Sequence, residues 1–200
     1  APPVTQMVEL MSYPPILERD FYQRTTEVVA RELLGKLLVR THSEGVAVVR
    51  LTEVEAYLGV EDPACHTFGG RRTARTETMW GEAGRAYVYL VYGLHSCLNV
   101  VTVGPGHPEA VLIRGGVVEE GHELVRTRRG NGVGERSLTD GPGKLCQALT
   151  ITRFDDGTVR ETLIDSAFPA AHERAAEIDD GRVTAGDHSP AVPTDPDVPD

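Results

Sequence analysis

No window of this 200-residue chain approaches the roughly 18 uninterrupted apolar residues that a membrane-spanning helix needs, so no membrane role is expected. The first residues show no basic start followed by an apolar run, and no secretory signal is read there. Cysteine is scarce: Cys65, Cys97 and Cys146 are odd in number, far apart and form no C-x-x-C pair. That pattern argues against a disulfide framework or a structural zinc site, and it fits a reducing, cytoplasmic setting. The length and apolar content suit one domain with a core of its own.

Positive charge is missing overall. The formal net charge is −10, which should repel phosphates. Its distribution changes that inference. Residues 151–200 hold 12 Asp and Glu against 4 Lys and Arg, while the first 150 hold 18 against 16, so the body is nearly neutral. Within it, Arg71, Arg72, Arg75 and Arg85 fall in one segment, and Arg126, Arg128, Arg129, Arg136 and Lys144 in another. A basic face is open to such a body, although surface arginines are commonly just solvated.

Residues 1–16, with four prolines, read as an irregular lead-in. A helix is expected over 25–34, capped by Thr25 and stopped by Gly35. Two strands over 36–41 and 46–58, joined by His42-Ser43-Glu44-Gly45, should form a hairpin. A short helix is expected over 73–79, with Thr73 as its cap. Further strands are expected over 86–92, 97–103 and 110–114, broken at Gly93 and at Gly104-Pro105-Gly106. The polar, glycine-rich stretch 126–140 reads as a loop, and 144–149 as a helix opened by Gly141-Pro142-Gly143. After Thr158 the pattern dissolves, and residues 169–200 form an acidic tail of disorder-like composition.

Strand alternation puts Glu53, Glu55 and Tyr57 on one face and Val54, Ala56 and Leu58 on the other. Two carboxylates beside an aromatic ring suit either a polar pocket wall or an exposed strand face. A carboxylate set against rings loses hydration, which favours its neutral form, and a nearby arginine opposes that. His66 follows a Pro63-Ala64-Cys65 turn and reads as structural or functional. Tyr87 and Tyr89 share a strand face, with Tyr92 on the other beside Gly93. Asn99 interrupts an apolar strand and needs a hydrogen-bond partner. Glu53, Glu55 and His66 have the ligand types for a metal, but nothing fixes a further ligand.

In series, Glu53-Val54-Glu55-Ala56-Tyr57-Leu58-Gly59, His66 with Gly69-Gly70-Arg71, Tyr87-Val88-Tyr89-Leu90-Val91-Tyr92-Gly93, Asn99, Arg114 and Gly141–Leu149 resemble the alkyladenine (3-methyladenine) DNA glycosylase family over roughly 17–149. The resemblance implies a mixed α+β domain over 17–168, a curved antiparallel sheet surrounded by helices, with a protruding β-hairpin. It implies that Glu55 activates water, oriented by Arg114, while Tyr57, His66 and Tyr89 stack on an extruded base. Asn99 would exclude the 2-amino group of guanine. Tyr92 would fill the gap left in the duplex, and Arg71, Arg72, Arg75 and Lys144 would contact phosphates. The implied reaction is excision of alkylated purines, 3-methyladenine first and hypoxanthine as a further candidate, from damaged double-stranded DNA in base excision repair. No cofactor or metal is implied, and a monomer is expected, nucleoid-associated if bacterial. Relatives close with a basic, aromatic strand that residues 169–200 do not resemble. A non-catalytic lesion-binding protein and a metal-dependent hydrolase using Glu53, Glu55 and His66 remain open.

Overall fold

The computed structural model describes residues 16–158 and the backbone of 162–164. Six strands form one sheet: β1 (Leu37–His42), β2 (Gly45–Tyr57), β3 (Ala86–Val91), β4 (His95–Gly104), β5 (His107–Glu120) and β6 (Thr162–Ile164). Their order is β3-β4-β5-β2-β1-β6, and every neighbouring pair is antiparallel. The α-helices are α1 (Arg19–Tyr22), α2 (Thr26–Leu33), α3 (His122–Arg129) and α4 (Pro142–Ala148). Together they make a single mixed α+β domain.

The helices cover one face of the sheet. Tyr22 of α1, Val29 and Leu33 of α2, Val125 of α3 and Leu145 of α4 pack with Leu38, Val49, Leu98, Val111 and Ile113 in one aliphatic core. The segment between β2 and β3 packs on the opposite face, where Cys65, Met79, Tyr87, Val101 and Ala110 form a smaller cluster edged by Tyr57 and Tyr89.

The β1–β2 hairpin forms as the sequence implies, with Val39 facing Val48 and the chain reversing at Ser43-Glu44. Helix α2 starts beside Thr25, but the threonine side chain makes no capping bond. Gly35 ends the helix at φ 83°, a conformation glycine adopts without a Cβ penalty. Residues 73–79 are not an α-helix. The Thr76 hydroxyl accepts the Thr73 N–H at 2.9 Å, a local bond that competes with helix, and a 3₁₀ turn follows over Glu77–Trp80.

Three further elements depart from the sequence reading. The expected loop over 126–140 begins inside α3, because Val125 is fully buried and Leu124 packs on the core. Packing of one apolar face outweighs the polar composition. Helix α4 begins at Pro142 rather than Lys144, since proline suits the first helical position. Strand β5 runs six residues past Arg114. Gly115-Gly116 looks like a break, yet a Cβ on Gly116 would lie 2.4 Å from the Arg50 carbonyl oxygen, so glycine is what lets β5 pair closely there. Beyond Thr158 the chain forms β6 against β1. The expected lead-in, except Ile16, and the tail over 169–200 lie outside the described residues.

Candidate active site

Two bulges shape the site. Opposite β5, the register of β2 steps from Leu51–Gly116 to Glu53–Gly115, leaving Thr52 extra; it then steps to Val54–Ile113, leaving Arg114 extra on β5. Before the first bulge Ala47, Val49 and Leu51 face the helices, and after it Val54 and Ala56 do. One inserted residue therefore turns Glu53, Glu55 and Tyr57 to the opposite face, and it brings Arg114 toward them from the next strand.

The side chains meet there. The Tyr57 hydroxyl donates to Glu55 Oε2 at 2.8 Å. Arg114 Nε donates to Glu53 Oε1 at 2.7 Å and lies 3.4 Å from Glu55 Oε1. The two carboxylates differ in solvent access, 51% of the Glu53 side chain being exposed against 26% for Glu55. Glu53 is thus the anchor of the arginine and Glu55 the sheltered group with an oxygen turned to each partner. The Glu53 hydrogen bond, first, and then the charges of Glu53 and Glu55 raise the Arg114 pKa further, keeping the guanidinium charged. Burial and the Glu55 bond push the Tyr57 hydroxyl well above the usual phenol range, so it stays a donor.

Register extends the wall across the sheet. Glu55 faces Leu112, Leu112 faces Asn99, and Asn99 faces Tyr87, one row over four strands. Asn99 is buried, and its Nδ2 donates to the Tyr87 carbonyl at 3.1 Å, which holds the amide against the wall. Tyr89 lies beside Tyr87 with ring centroids 5.3 Å apart. His66 meets Tyr89 edge-on at 4.6 Å, and its Nδ1 is 3.0 Å from the Tyr87 hydroxyl. Burial, aided by the charges of Arg75 and Arg71, lowers the His66 pKa to about 4, leaving the ring neutral at pH 7. The structure therefore gathers Glu55, Tyr57, Arg114, Asn99, Tyr89 and His66 on one face.

Tyr87 and Cys97 belong to this wall and were given no role by the sequence. Cys97 lies opposite Tyr89, and burial raises its thiol pKa. The face-sharing of Tyr87 with Tyr89 was the available signal for the first; for Cys97 there was none, because hairpin register is needed to see it.

The hairpin of β3 and β4 ends at the sheet edge. Tyr92 and Gly93 both have positive φ, 52° and 67°, as a type I′ turn requires. A tyrosine in that region is uncommon and mildly strained, and here it is also 82% exposed, with Leu94 beside it. Just past the turn, a Cβ on Gly143 would touch the His95 side chain at 3.1 Å, so α4 starts against the hairpin there. Between them runs a cleft of about 350 Å³ lined by residues including Leu94, His95, Gly143 and Gln147.

The expected phosphate contacts are differently placed. Arg71 is exposed, whereas Arg72 is held by both oxygens of Glu77 at 2.6 and 2.9 Å. Arg75 lies over the Tyr89 ring, 5.2 Å from its centroid, and Lys144 pairs with Asp140 at 2.7 Å. Nor do Glu53, Glu55 and His66 converge. The carboxylates turn to Arg114 and His66 to Tyr87, and among the described residues no three His, Cys, Asp or Glu side chains are grouped to hold a metal ion.

The same chain has close relatives of known naming. It is 50% identical over 143 residues, 72% of this chain and 71% of the other, to a protein of Methanocella arvoryzae named "Putative 3-methyladenine DNA glycosylase". A protein of the same name from Desulfitobacterium hafniense is 46% identical over 164 residues, covering 78% and 79% of the two chains. Another from Streptomyces avermitilis is 46% identical over 142 residues, covering 71% and 66%. The family Methylpurine-DNA glycosylase (MPG) matches residues 20–184, which reaches past the 149 at which the sequence resemblance stopped. The wall of carboxylate, tyrosines and histidine thus lies wholly within the matched region, and the chain belongs to the methylpurine-DNA glycosylase family.

Proposed function

We infer that this DNA-3-methyladenine glycosylase works by extruding an alkylated purine from double-stranded DNA and hydrolysing its glycosidic bond with Glu55 as the base. Glu55 takes a proton from a water while the water oxygen attacks C1′; the bond from C1′ to the base nitrogen breaks, and its electron pair leaves with the purine. The observation that carries this is the sheltered Glu55 carboxylate, flanked by Tyr57 and Arg114 at the rim of the aromatic wall. Arg114 supplies positive charge beside the water without taking its proton, because it stays charged.

Tyr57, Tyr89 and His66 supply faces for an extruded base. Bases alkylated at N3 or N7 carry positive charge, which improves the leaving group and suits electron-rich rings. Asn99, buried and held by the Tyr87 carbonyl, is the group proposed to collide with the 2-amino group of guanine. Neither of the two lysines in the chain, Lys36 and Lys144, stands in the wall, which supports hydrolysis over Schiff-base chemistry. The strained, exposed Tyr92 supports a wedge role, and the two bulges support curvature of the sheet toward a duplex. We propose one catalytic unit over residues 17–168; β6, reaching Ile164, supports that bound.

The test is single-turnover base release from duplexes that each carry one defined lesion, run in excess EDTA. Wild type should release 3-methyladenine, and Glu55→Gln should bind the lesion while release falls by about 10² to 10⁴-fold, the usual contribution of a general base. A Glu55→Gln rate near wild type removes Glu55 from the chemistry. Lesion binding without any release by wild type points to a binding protein.

A further inference from the structure

The two carboxylates of β2 share one guanidinium unequally. Arg114 Nε carries a single hydrogen, and that hydrogen goes to Glu53 Oε1 at 2.7 Å. Glu55 Oε1 stands 3.4 Å from the same nitrogen, within range of its charge but without its hydrogen. The other Glu55 oxygen, Oε2, accepts from the Tyr57 hydroxyl at 2.8 Å. Oε1 is therefore the Glu55 oxygen that keeps a lone pair for a water. Glu53 reaches the arginine because of what lies across from it. Its register partner on β5 is Gly115, the residue after the extra Arg114. A Cβ on Gly115 would stand 3.6 Å from Glu53 Oε2 and 3.2 Å from the Thr139 carbonyl oxygen, so glycine leaves the carboxylate room there. The Arg114 and Glu53 side chains are 40% and 51% exposed, and an ion pair so open to solvent adds little to a fold. Its consequence lies in where it holds the arginine.

We propose that Glu53 is a positioning residue for the glycosylase reaction: by taking the Nε hydrogen of Arg114 it keeps the guanidinium from closing on Glu55, and so leaves Glu55 Oε1 open to the proton of the attacking water. This rests on the reading of Glu55 as the base. Without Glu53, the nearest carboxylate to the Nε–H is Glu55, and a small shift turns the 3.4 Å contact into a direct hydrogen bond. That bond occupies the lone pair that must receive the proton. It also favours the charged carboxylate, which makes a weaker base. The groups facing Glu55 are Glu53 and Tyr57 on its own strand, Arg114 on β5 and, on β4, the Cys97 thiol, which burial keeps protonated. Tyr57 and Cys97 are uncharged, so Arg114 and Glu53 supply the charges that govern Glu55. Glu53 touches neither water nor sugar in this scheme and acts through Arg114.

The experiment is single-turnover release from a duplex carrying one 3-methyladenine, followed against pH in excess EDTA. Glu53→Met keeps the length of the side chain and removes the acceptor, and it should leave the melting temperature and lesion-duplex affinity near wild type. Release should slow about tenfold, the scale of one hydrogen bond to a charged group, and the acid limb of the pH–rate profile should move to lower pH. In an Arg114→Gln background the same substitution should cost less than about twofold, because no guanidinium is left to hold. Should Glu53→Met lower the melting temperature, Glu53→Gln preserves size and polarity and carries the same comparison, with a smaller loss of the same sign. Release at the wild-type rate with an unmoved acid limb overturns the proposal, and so does an undiminished loss without Arg114. Glu55→Gln is the control. If it releases base near the wild-type rate, the fault lies with the reading of Glu55 as the base. If it is inert while the Glu53 variants match wild type, that reading stands and the role of Glu53 falls.

Discussion

On one face of the sheet, Leu38, Val49, Leu98 and Val111 meet the helices in aliphatic contact. On the other, Glu55, Asn99 and Tyr87 lie in a row, with Tyr57, Tyr89 and His66 around them. The same strands build both faces, separated by the alternation of side chains and, on β2, by the bulge at Thr52. The helix-covered face is mainly aliphatic and owes its stability to area removed from water, with the Arg40–Asp155 pair at its border. The other face spends part of its area on polar groups that satisfy one another: Tyr57 with Glu55, Arg114 with Glu53, Asn99 with Tyr87. If the proposed roles hold, stability and chemistry fall on opposite sides of one scaffold, and each should be removable without the other.

Paired substitutions give the largest test of that division. Glu55→Gln should cut single-turnover release by the 10² to 10⁴-fold given above while leaving the melting temperature unchanged. Leu38→Ala, at a fully buried position against the helices, should do the reverse. It should cost about 2–5 kcal/mol of unfolding free energy in urea titration, with release by the folded protein near wild type. If Leu38→Ala slows release as much as it destabilises the fold, the faces are coupled and the division fails.

The next effect concerns His66, the partly buried histidine of the polar face. Its folded pKa, about 4, lies below the ordinary value of 6.5, so the unfolded chain binds the proton more readily. Its contribution is therefore present above pH 6.5 and is lost progressively as pH falls toward 4. The loss is on the order of 3 kcal/mol at most, and less because the ring is not fully buried. Thermal melts of wild type and His66→Gln between pH 7.5 and 4.5 should show a steeper decline for wild type. Parallel declines would mean that His66 is not held neutral by its surroundings.

Much of this division could be read from the sequence. The spacing of Glu53, Glu55 and Tyr57 already placed three polar groups on one side of a strand, and Tyr87 with Tyr89 on one side of another. The length of β5 could not be read, because Gly115-Gly116 is a turn signal in sequence and a close-packing requirement in space. The bulges at Thr52 and Arg114 were likewise invisible, since an inserted residue is defined only against the partner strand. Helix α3 was hidden for another reason: one buried valine and one packed leucine outweigh a run of arginines, and only the tertiary contact shows it. Charge partners were the least legible of all. Arg72, Arg75 and Lys144 look equally available in sequence and differ entirely in what holds them.

The hairpin sharpens the comparison at a smaller scale, because Tyr92 belongs to neither face. Its ring is 82% exposed and contributes little to the fold. Tyr92→Ala should leave the melting temperature unchanged and weaken binding to lesion duplex by roughly tenfold, the lower end of what one stacked ring contributes. Because the lost interaction is not ionic, the weakening should be the same at 50 mM and 200 mM salt. Binding indistinguishable from wild type would mean that the hairpin tip stays outside the duplex.

The smallest effect separates Arg71 from Arg72, neighbours that a charge count treats alike. Arg71 is exposed, and a phosphate can approach it at little cost. Arg72 already lies in a two-point bond with Glu77, and binding a phosphate means giving that up. Arg71→Ala should therefore lower the slope of log affinity against log salt by about one unit, the signature of one lost phosphate contact. Arg72→Ala should change it by clearly less. Glu77→Gln weakens the hold on Arg72 and removes a negative charge, so it should tighten binding and steepen the slope, most visibly at low salt where screening is weak. Equal slopes for Arg71→Ala and Arg72→Ala, with Glu77→Gln silent, would show that the Arg72–Glu77 pair opens freely on DNA and that charge count alone governs this segment.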